Sequence, residues 1–111
     1  MDRVLIVARM KEPDADTVAS MWAESDATEL PQLVGVRRRS LFHFHGLYFH
    51  LIEADESDSP TTAQIEAVRE HPLFQDVNTK LANHVTAYDE LTWRGPQDAM
   101  ARLFYSWQSP R

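Results

Sequence analysis

The 111-residue chain contains no cysteine and only three glycines, and both shortages limit its chemistry. Without cysteine it can form no disulfide, no thiolate metal site and no cysteine nucleophile. Three glycines do not supply a glycine-rich phosphate-binding loop, and no nucleophile elbow is present. A chain that folds without disulfides fits the cytoplasm, which is the compartment we expect.

Long hydrophobic runs are missing as well. The first ten residues, MDRVLIVARM, hold an apolar run that is too short for a secretory signal. No segment approaches the ~20 apolar residues that a membrane span requires. The net charge of −6 argues against a nucleic-acid partner bound through overall charge. We therefore expect a single domain over residues 1–111, with neither a membrane nor a nucleic acid as partner.

The apolar pattern along the chain predicts the order strand, helix, strand, strand, helix, strand. A second helical region contains Ile65 and Leu81 and is interrupted at His71-Pro72, and residues 84–99 are ambiguous. This order is the ferredoxin-like βαββαβ plan, an α+β fold whose antiparallel sheet has both helices on one face. The expected strands are 3–10, 33–44, 47–54 and 101–108, and the expected first helix is 13–25.

The hairpin of the second and third strands, GVRRRSLFHFHGLYFHLIE over residues 35–53, concentrates the cationic and titratable residues. Side chains on a strand alternate between faces, and a turn near Gly46 fixes how the two strands pair. We expect an apolar face to pack on the helices and a mixed face to lie open. The apolar face holds Phe42, Phe44, Leu47, Phe49 and Leu51, and the mixed face holds Arg37, Arg39, Leu41, His43, Tyr48, His50 and Ile52.

The mixed face has the composition of a pocket wall, because apolar residues alternate with a few directed polar groups. In a pocket, the candidates for binding a ligand are Arg37, Leu41, His43, Tyr48 and Ile52. An interface between two copies and a plain solvated face remain alternatives.

Two further patterns near this face have alternative explanations. His43, His45 and His50 are spaced as in a three-histidine zinc site, although the neighbouring arginines would repel a dication. Asp26 follows the first helix, where it either reaches the mouth of the pocket or simply ends the helix.

Four sequence blocks in order resemble the small type II cyclases of aromatic polyketide biosynthesis. The blocks are ESDATELP, GVRRRSLFHFHGLYFHLIEA, REHPLFQDVN and the terminal FYSW, and the resemblance covers residues 3 to about 107. It implies a ferredoxin-like fold of the dimeric α+β barrel type, with homodimers formed through the open sheet faces. It also implies regiospecific intramolecular aldol condensation and dehydration of a partly cyclised poly-β-ketone, without a metal or organic cofactor.

The resemblance also assigns catalytic roles to individual residues. The functional acid falls on Asp26, the functional arginine on Arg39 and the histidine of the third strand on His50. Arg39 is expected to stabilise enolate or alkoxide oxygens, and His50 to move a proton near neutral pH. The residue before the acid can be histidine in such cyclases, whereas this chain has Ser25.

Two other functions are compatible with the same fold. One is a cofactor-independent monooxygenase that oxidises anthrone-type aromatics. The other is a non-catalytic partner that shapes the polyketide within the synthase. For a cyclase, a further expected partner is a type II polyketide synthase complex, which the protein would contact transiently.

Overall fold

The computed structural model of the protein describes residues 1–110, which form a four-stranded antiparallel sheet with the strand order β2-β3-β1-β4. The predicted order of elements and the antiparallel sheet are confirmed. No helix in the described residues is both long enough and apolar enough to cross a membrane. The strands are β1 (Asp2–Met10), β2 (Val36–Phe44), β3 (Leu47–Ala54) and β4 (Val85–Ala87), and the helices are α1 (Ala15–Asp26), α2 (Leu30–Val34), α3 (Thr61–Ala67) and α4 (Pro72–Leu81).

The β2–β3 hairpin closes through a two-residue turn in which His45 and Gly46 have φ angles of 49° and 79°. Positive φ at both central residues is the requirement of a type I′ turn, whose twist matches that of the flanking strands. The turn sets Phe44 opposite Leu47 and fixes the pairing that follows. The predicted bounds of β3 are therefore confirmed.

The segment before β2 is helical rather than extended, so the predicted start of that strand at residue 33 is wrong. The helix α2 begins at Leu30-Pro31 and ends at Gly35, which has a left-handed φ of 87°. Proline is favourable in the first turn of a helix and glycine just beyond its end. The Leu30-Pro31 pair thus starts a new helix, four residues after α1 has ended at Asp26.

The strand predicted at 101–108 is absent, and β4 lies earlier, at Val85–Ala87, where it pairs with Ala8–Met10. Farther along β1, Met100 forms one bridge with Ile6, and Ala101 N–H donates to the Leu5 carbonyl at 2.7 Å. Residues 101–110 then have no regular secondary structure and are exposed. The apolar alternation of this tail resembles a strand, but after the Ala101–Leu5 hydrogen bond no β-pairing joins residues 102–108 to a strand within residues 1–110.

The helices pack on the opposite sheet face from the one we predicted. The core joins Ala8, Met10 and Tyr48 of the sheet to Val18 of α1 and Val77 of α4. The hairpin residues that share the face of Tyr48 are Arg39, Leu41, His43, His50 and Ile52. The predicted partition of side chains between two faces is largely correct, but the assignment of the mixed face to the open side is wrong.

The open face of the sheet is largely apolar. Phe42 and Phe44 are 55% and 62% exposed, and Phe49 is half-buried beside Phe42. This face was expected under the helices because its composition is that of a core. The apolar residues that belong to it are Leu5, Val7, Phe42, Phe44, Leu47, Phe49 and Leu51.

A β-bulge at the start of β2 removes Arg37 from the predicted mixed face. Val36 pairs with Ala54 and Arg38 with Glu53, so Arg37 is the extra residue. Its side chain is exposed and lies 3.7 Å from the Asp55 carboxylate. From Arg38 onward the pairing is regular, so Arg38, opposite Glu53, lies on the open face and Arg39, opposite Ile52, lies on the helix face.

We expect Gly46→Ala to lower the free energy of unfolding by about 1 kcal/mol, because the left-handed conformation is costly for a residue with a Cβ. No atom crowds the position within 4 Å, so the loss reflects backbone strain alone. Urea unfolding measures it. Gly95→Ala is the control, because Gly95 is extended and its nearest neighbour would lie 3.9 Å from the new Cβ. Equal stability of the two variants would contradict the assigned turn.

Candidate active site

The three predicted catalytic residues meet although they come from three different elements. Asp26 is the last residue of α1, while Arg39 and His50 lie near the middle of β2 and β3. Arg39 Nη2 donates to Asp26 Oδ1 at 2.8 Å, and its Nε lies 3.1 Å from both carboxylate oxygens. Arg39 Nη1 lies 2.8 Å from His50 Nε2. The guanidinium of Arg39, on β2, therefore bonds both the last residue of α1 and a residue of β3.

Trp22 of α1 packs against this cluster, although the sequence analysis did not predict a site role for it. The Arg39 guanidinium lies over the Trp22 ring, 4.0 Å from its centroid, and the His50 ring centroid is 4.7 Å away. Its indole N–H donates to the Tyr48 hydroxyl at 3.0 Å. A signal for its role was available, because residues 22 and 26 are one helical turn apart and share a face of α1.

The contact with Arg39 fixes the protonation state of His50. A guanidinium has only donors, so Nε2 must accept and the ring proton sits on Nδ1. Burial, and then the charge of Arg39, lower the pKa of His50 from 6.5 to about 3. The imidazole is therefore neutral at physiological pH. That His50 moves a proton near neutral pH stays a prediction, which this low pKa does not favour.

Tyr48 is buried next to His50, with ring centroids 6.1 Å apart. Burial raises the pKa of its hydroxyl to about 12, against the opposing effects of Trp22 and Arg39. The phenol therefore stays protonated. Its oxygen accepts the Trp22 N–H, which leaves its own proton available for another acceptor.

A cavity of about 680 Å³ lies between the sheet and α4, within the usual range for small-molecule sites. Tyr48 and His50 line it, as do Trp22 of α1 and polar residues of α4 such as Asn78. Neither Arg39 nor Asp26 is among its lining residues. Of the three predicted catalytic residues, only His50 faces the cavity, and the other two stand behind it.

The other predicted ligand-binding residues have different surroundings. Leu41 packs against the core cluster that contains Tyr48, and Ile52 belongs to a second core cluster. His43 Nε2 lies 3.0 Å from the Met10 carbonyl. Arg37 is in solvent at the bulge. Of the five, the structure places only Tyr48 on the cavity wall.

The histidines of the zinc alternative do not converge. His43 Nε2 is bonded to a backbone carbonyl, His45 lies in the exposed turn, and His50 Nε2 accepts from Arg39. Within residues 1–110, no group of three or more histidine, aspartate or glutamate side chains is arranged to hold a metal ion.

Ser25, the residue before Asp26, is buried and is not among the residues that line the main cavity. It lines a separate cavity of about 240 Å³ between α1 and α4, together with Met21, Thr28 and Val77. Its carbonyl accepts from the Thr28 hydroxyl at 2.6 Å. Position 25 thus contributes to the packing of α1 against α4.

A cavity between a sheet and a helix, with a cluster of polar residues behind its wall, is typical of small α+β enzymes. Comparison with known proteins identifies the family. Residues 2–108 match the family model described as polyketide synthesis cyclase. The chain belongs to this family. The predicted resemblance is thereby confirmed.

Individual relatives support the same assignment. The chain is 53% identical over 109 residues to an uncharacterized protein of Streptomyces coelicolor, covering 97% of this chain and 96% of that protein. It is 47% identical over 108 residues to tetracenomycin F2 cyclase of Streptomyces glaucescens, covering 97% and 95%. The structure of that cyclase, a type II polyketide cyclase, superposes with a TM-score of 0.90 at 46% identity, over 99% of this chain and 100% of that chain.

A more distant structure shares the fold alone. An antibiotic biosynthesis monooxygenase superposes with a TM-score of 0.51 at 17% identity, over 77% of this chain and 86% of that chain. The predicted ferredoxin-like α+β fold is confirmed by these superpositions together with the sheet order.

The depressed pKa of His50 predicts how stability depends on pH. Between the unfolded value of 6.5 and the folded value of about 3, the unfolded chain binds the proton and the folded chain does not. Stability is therefore highest above pH 6.5 and falls by roughly 1 kcal/mol per pH unit as the pH drops below it. Urea unfolding from pH 7.5 to 5 measures this slope.

His50→Gln should flatten the slope over that range, whereas His45→Gln should retain it because His45 is exposed in the turn. Wild-type and His50→Gln proteins that lose stability in parallel would show that His50 titrates normally.

Proposed function

We propose that the protein closes a further ring of a partly cyclised aromatic poly-β-ketone by intramolecular aldol condensation followed by dehydration. Family membership supports the chemistry. For this chain the proposal rests on the cavity of about 680 Å³. His50 lines this cavity, and Arg39 contacts His50 from behind the cavity wall. The cavity's size and largely apolar lining suit a flat, partly aromatic chain.

The proposed reaction needs no external reactant. An enol carbon of the chain attacks a ketone carbon of the same molecule, forming one carbon–carbon bond. The enol hydroxyl loses its proton, and the new alkoxide takes one up. The hydroxyl group of the resulting alcohol then leaves as water together with a hydrogen of the adjacent carbon, and the ring becomes aromatic. We propose that neither a metal nor an organic cofactor takes part, because this balance requires none.

The cavity contributes most by folding the substrate. Holding two reacting carbons in near-attack geometry is worth as much as roughly 7–11 kcal/mol in favourable cases. Arg39 adds a fixed positive charge behind His50, which favours the negative charge that develops on oxygen. Asp26 positions Arg39 through both carboxylate oxygens. His50 then contacts the substrate as a neutral hydrogen-bonding group.

We expect Arg39→Ala to lower the rate of ring closure by about 10- to 100-fold. Loss of a donor that touches the reacting oxygen typically costs about 100- to 1,000-fold, and Arg39 acts from behind His50. Part of the rate should remain, since aromatisation drives the reaction. The measurement is product formation when the purified chain is added to a minimal type II polyketide synthase.

Arg38→Ala is the matched control, because Arg38 lies opposite Glu53 on the open face. Circular dichroism verifies that both variants fold. Equal rates for the two variants would count against the site. Oxygen uptake during the same assay would instead favour monooxygenase chemistry, because cyclisation and dehydration consume no O₂.

We also propose that the protein is a homodimer joined through the open sheet face. Its apolar residues, centred on Phe49 and flanked by Phe42 and Val7, form the kind of contiguous patch that marks an interface. The exposed tail adds Phe104 and Trp107, which a second copy can cover. We further propose that the dimer works in the cytoplasm and meets the synthase transiently, because a poly-β-ketone also cyclises unaided.

Phe49→Glu should convert the dimer into a monomer, because it places a charge at the centre of the apolar face. Light scattering coupled to gel filtration measures the mass. The side chain of Phe49 points away from the helical core, so the fold should survive. Leu91→Glu is the control, at a residue that is 93% exposed in a loop. A dimer that persists in Phe49→Glu would place the interface elsewhere.

A further inference from the structure

We propose that the Nδ1–H of His50 and the hydroxyl of Tyr48 together bind the enolate or phenolate oxygen of the substrate. This oxyanion site lies on the sheet side of the cavity. The inference rests on the proposed function for the class of substrate. It assigns Tyr48 as a second catalytic residue, one that touches the reacting oxygen.

The first donor is fixed by its neighbour. Because Arg39 donates to Nε2, the proton of His50 must be on Nδ1. Among residues 1–110 no side chain or carbonyl accepts from Nδ1, and no fully buried side-chain polar atom is left unpaired. Nδ1 therefore keeps some accessible surface. Since His50 is 3% exposed and lines the cavity, that surface faces the cavity.

The second donor is the Tyr48 hydroxyl. In the described chain its single hydrogen-bond partner is the Trp22 N–H, which it accepts, so its own proton has no acceptor from the protein. Tyr48 is also 3% exposed and lines the same cavity two residues before His50 on the same face of β3. The Tyr48 O–H and the His50 Nδ1–H thus have no acceptor in the described chain. The oxygen anion of a bound ligand can accept from both donors.

The charges around the two donors favour an anion. The Arg39 guanidinium stands directly behind His50, and the Asp26 carboxylate that is paired with it does not line the cavity. Glu70 is the one acidic residue among the described lining residues, and it is adjacent to Arg69, which also lines the cavity. Preorganised donors in a water-poor site stabilise developing negative charge without reorganisation.

Trp22 is the positioning residue for this pair. One indole contacts the Arg39 guanidinium and the His50 ring, and its N–H holds the Tyr48 oxygen. It thereby sets the spacing between the two donors and leaves the Tyr48 proton free for the substrate.

The test uses 2-naphthol, whose ionisation is visible in its absorbance and fluorescence, as a probe for an oxyanion site. Wild-type protein should bind the naphtholate in preference to the neutral phenol, so the bound ligand ionises at lower pH than the free one. Tyr48→Phe should weaken naphtholate binding by about 10- to 100-fold, the worth of a hydrogen bond to a charged group. Binding of naphthalene should change little.

Tyr88→Phe is the matched control, because Tyr88 is exposed and does not line the cavity. A second measurement uses wild-type protein only, so it does not depend on how the variant folds. In ¹⁵N-labelled protein, the His50 Nδ1–H proton signal should move downfield when naphtholate binds.

Three results would overturn the inference: binding of naphthol in its neutral form, no binding, or unchanged naphtholate affinity in Tyr48→Phe. The polyketide synthase assay separates this outcome from a failure of the proposed function. Naphtholate binding without ring closure would contradict the cyclase proposal and support the oxyanion site. Ring closure without naphtholate preference would do the reverse.

Discussion

The burial of one cation, the guanidinium of Arg39, is the constraint on which the site depends. Its side chain is 9% exposed beneath the helical layer. An unpaired charge there would cost several kcal/mol, and removing one partner of such a pair typically costs about 3–5 kcal/mol. Asp26, the face of Trp22 and the unprotonated nitrogen of His50 together provide the compensation. The end of α1 and the register of β2 on β3 must both be correct for this to happen.

The same constraint decides the chemistry that the cavity can offer. The guanidinium of Arg39 supplies a permanent positive charge behind His50. That charge and burial keep the imidazole neutral. In the proposed site, the pair would present a neutral donor in front of a permanent cation. This arrangement suits a reaction in which charge gathers on a substrate oxygen, and it is poorly suited to a histidine that exchanges protons with solvent.

The sequence predicted which hairpin residues share a face, because the two-residue period of a strand and the position of Gly46 determine it. It did not determine which face the helices cover, since both faces carry apolar residues. A core does not tolerate an unpaired cation, and that rule favours the open face for Arg39. The rule was sound, but Asp26 supplies the partner from a distant element.

Two other errors have local causes. Nothing in the triplet of arginines reveals that the bulge falls at Arg37, because the bulge depends on how Val36 and Arg38 meet β3. The tail at 101–108 has the alternation of a strand but lacks a neighbouring strand in the described chain. The β-propensity of a segment indicates only that its side chains suit a sheet. To form a strand, the segment also needs a neighbouring strand with free backbone N–H and C=O groups.

The reversal of the two faces also changes how association and catalysis relate. Had the mixed face been open, a dimer through that face would have enclosed the polar cluster between two copies. In the structure the cavity lies under α4, and the apolar open face is on the opposite side of the sheet. A dimer through the open face therefore leaves each cavity complete within its own chain. In the proposed dimer, association would bury the apolar open face without covering the cavity, so the proposed chemistry would belong to the single subunit.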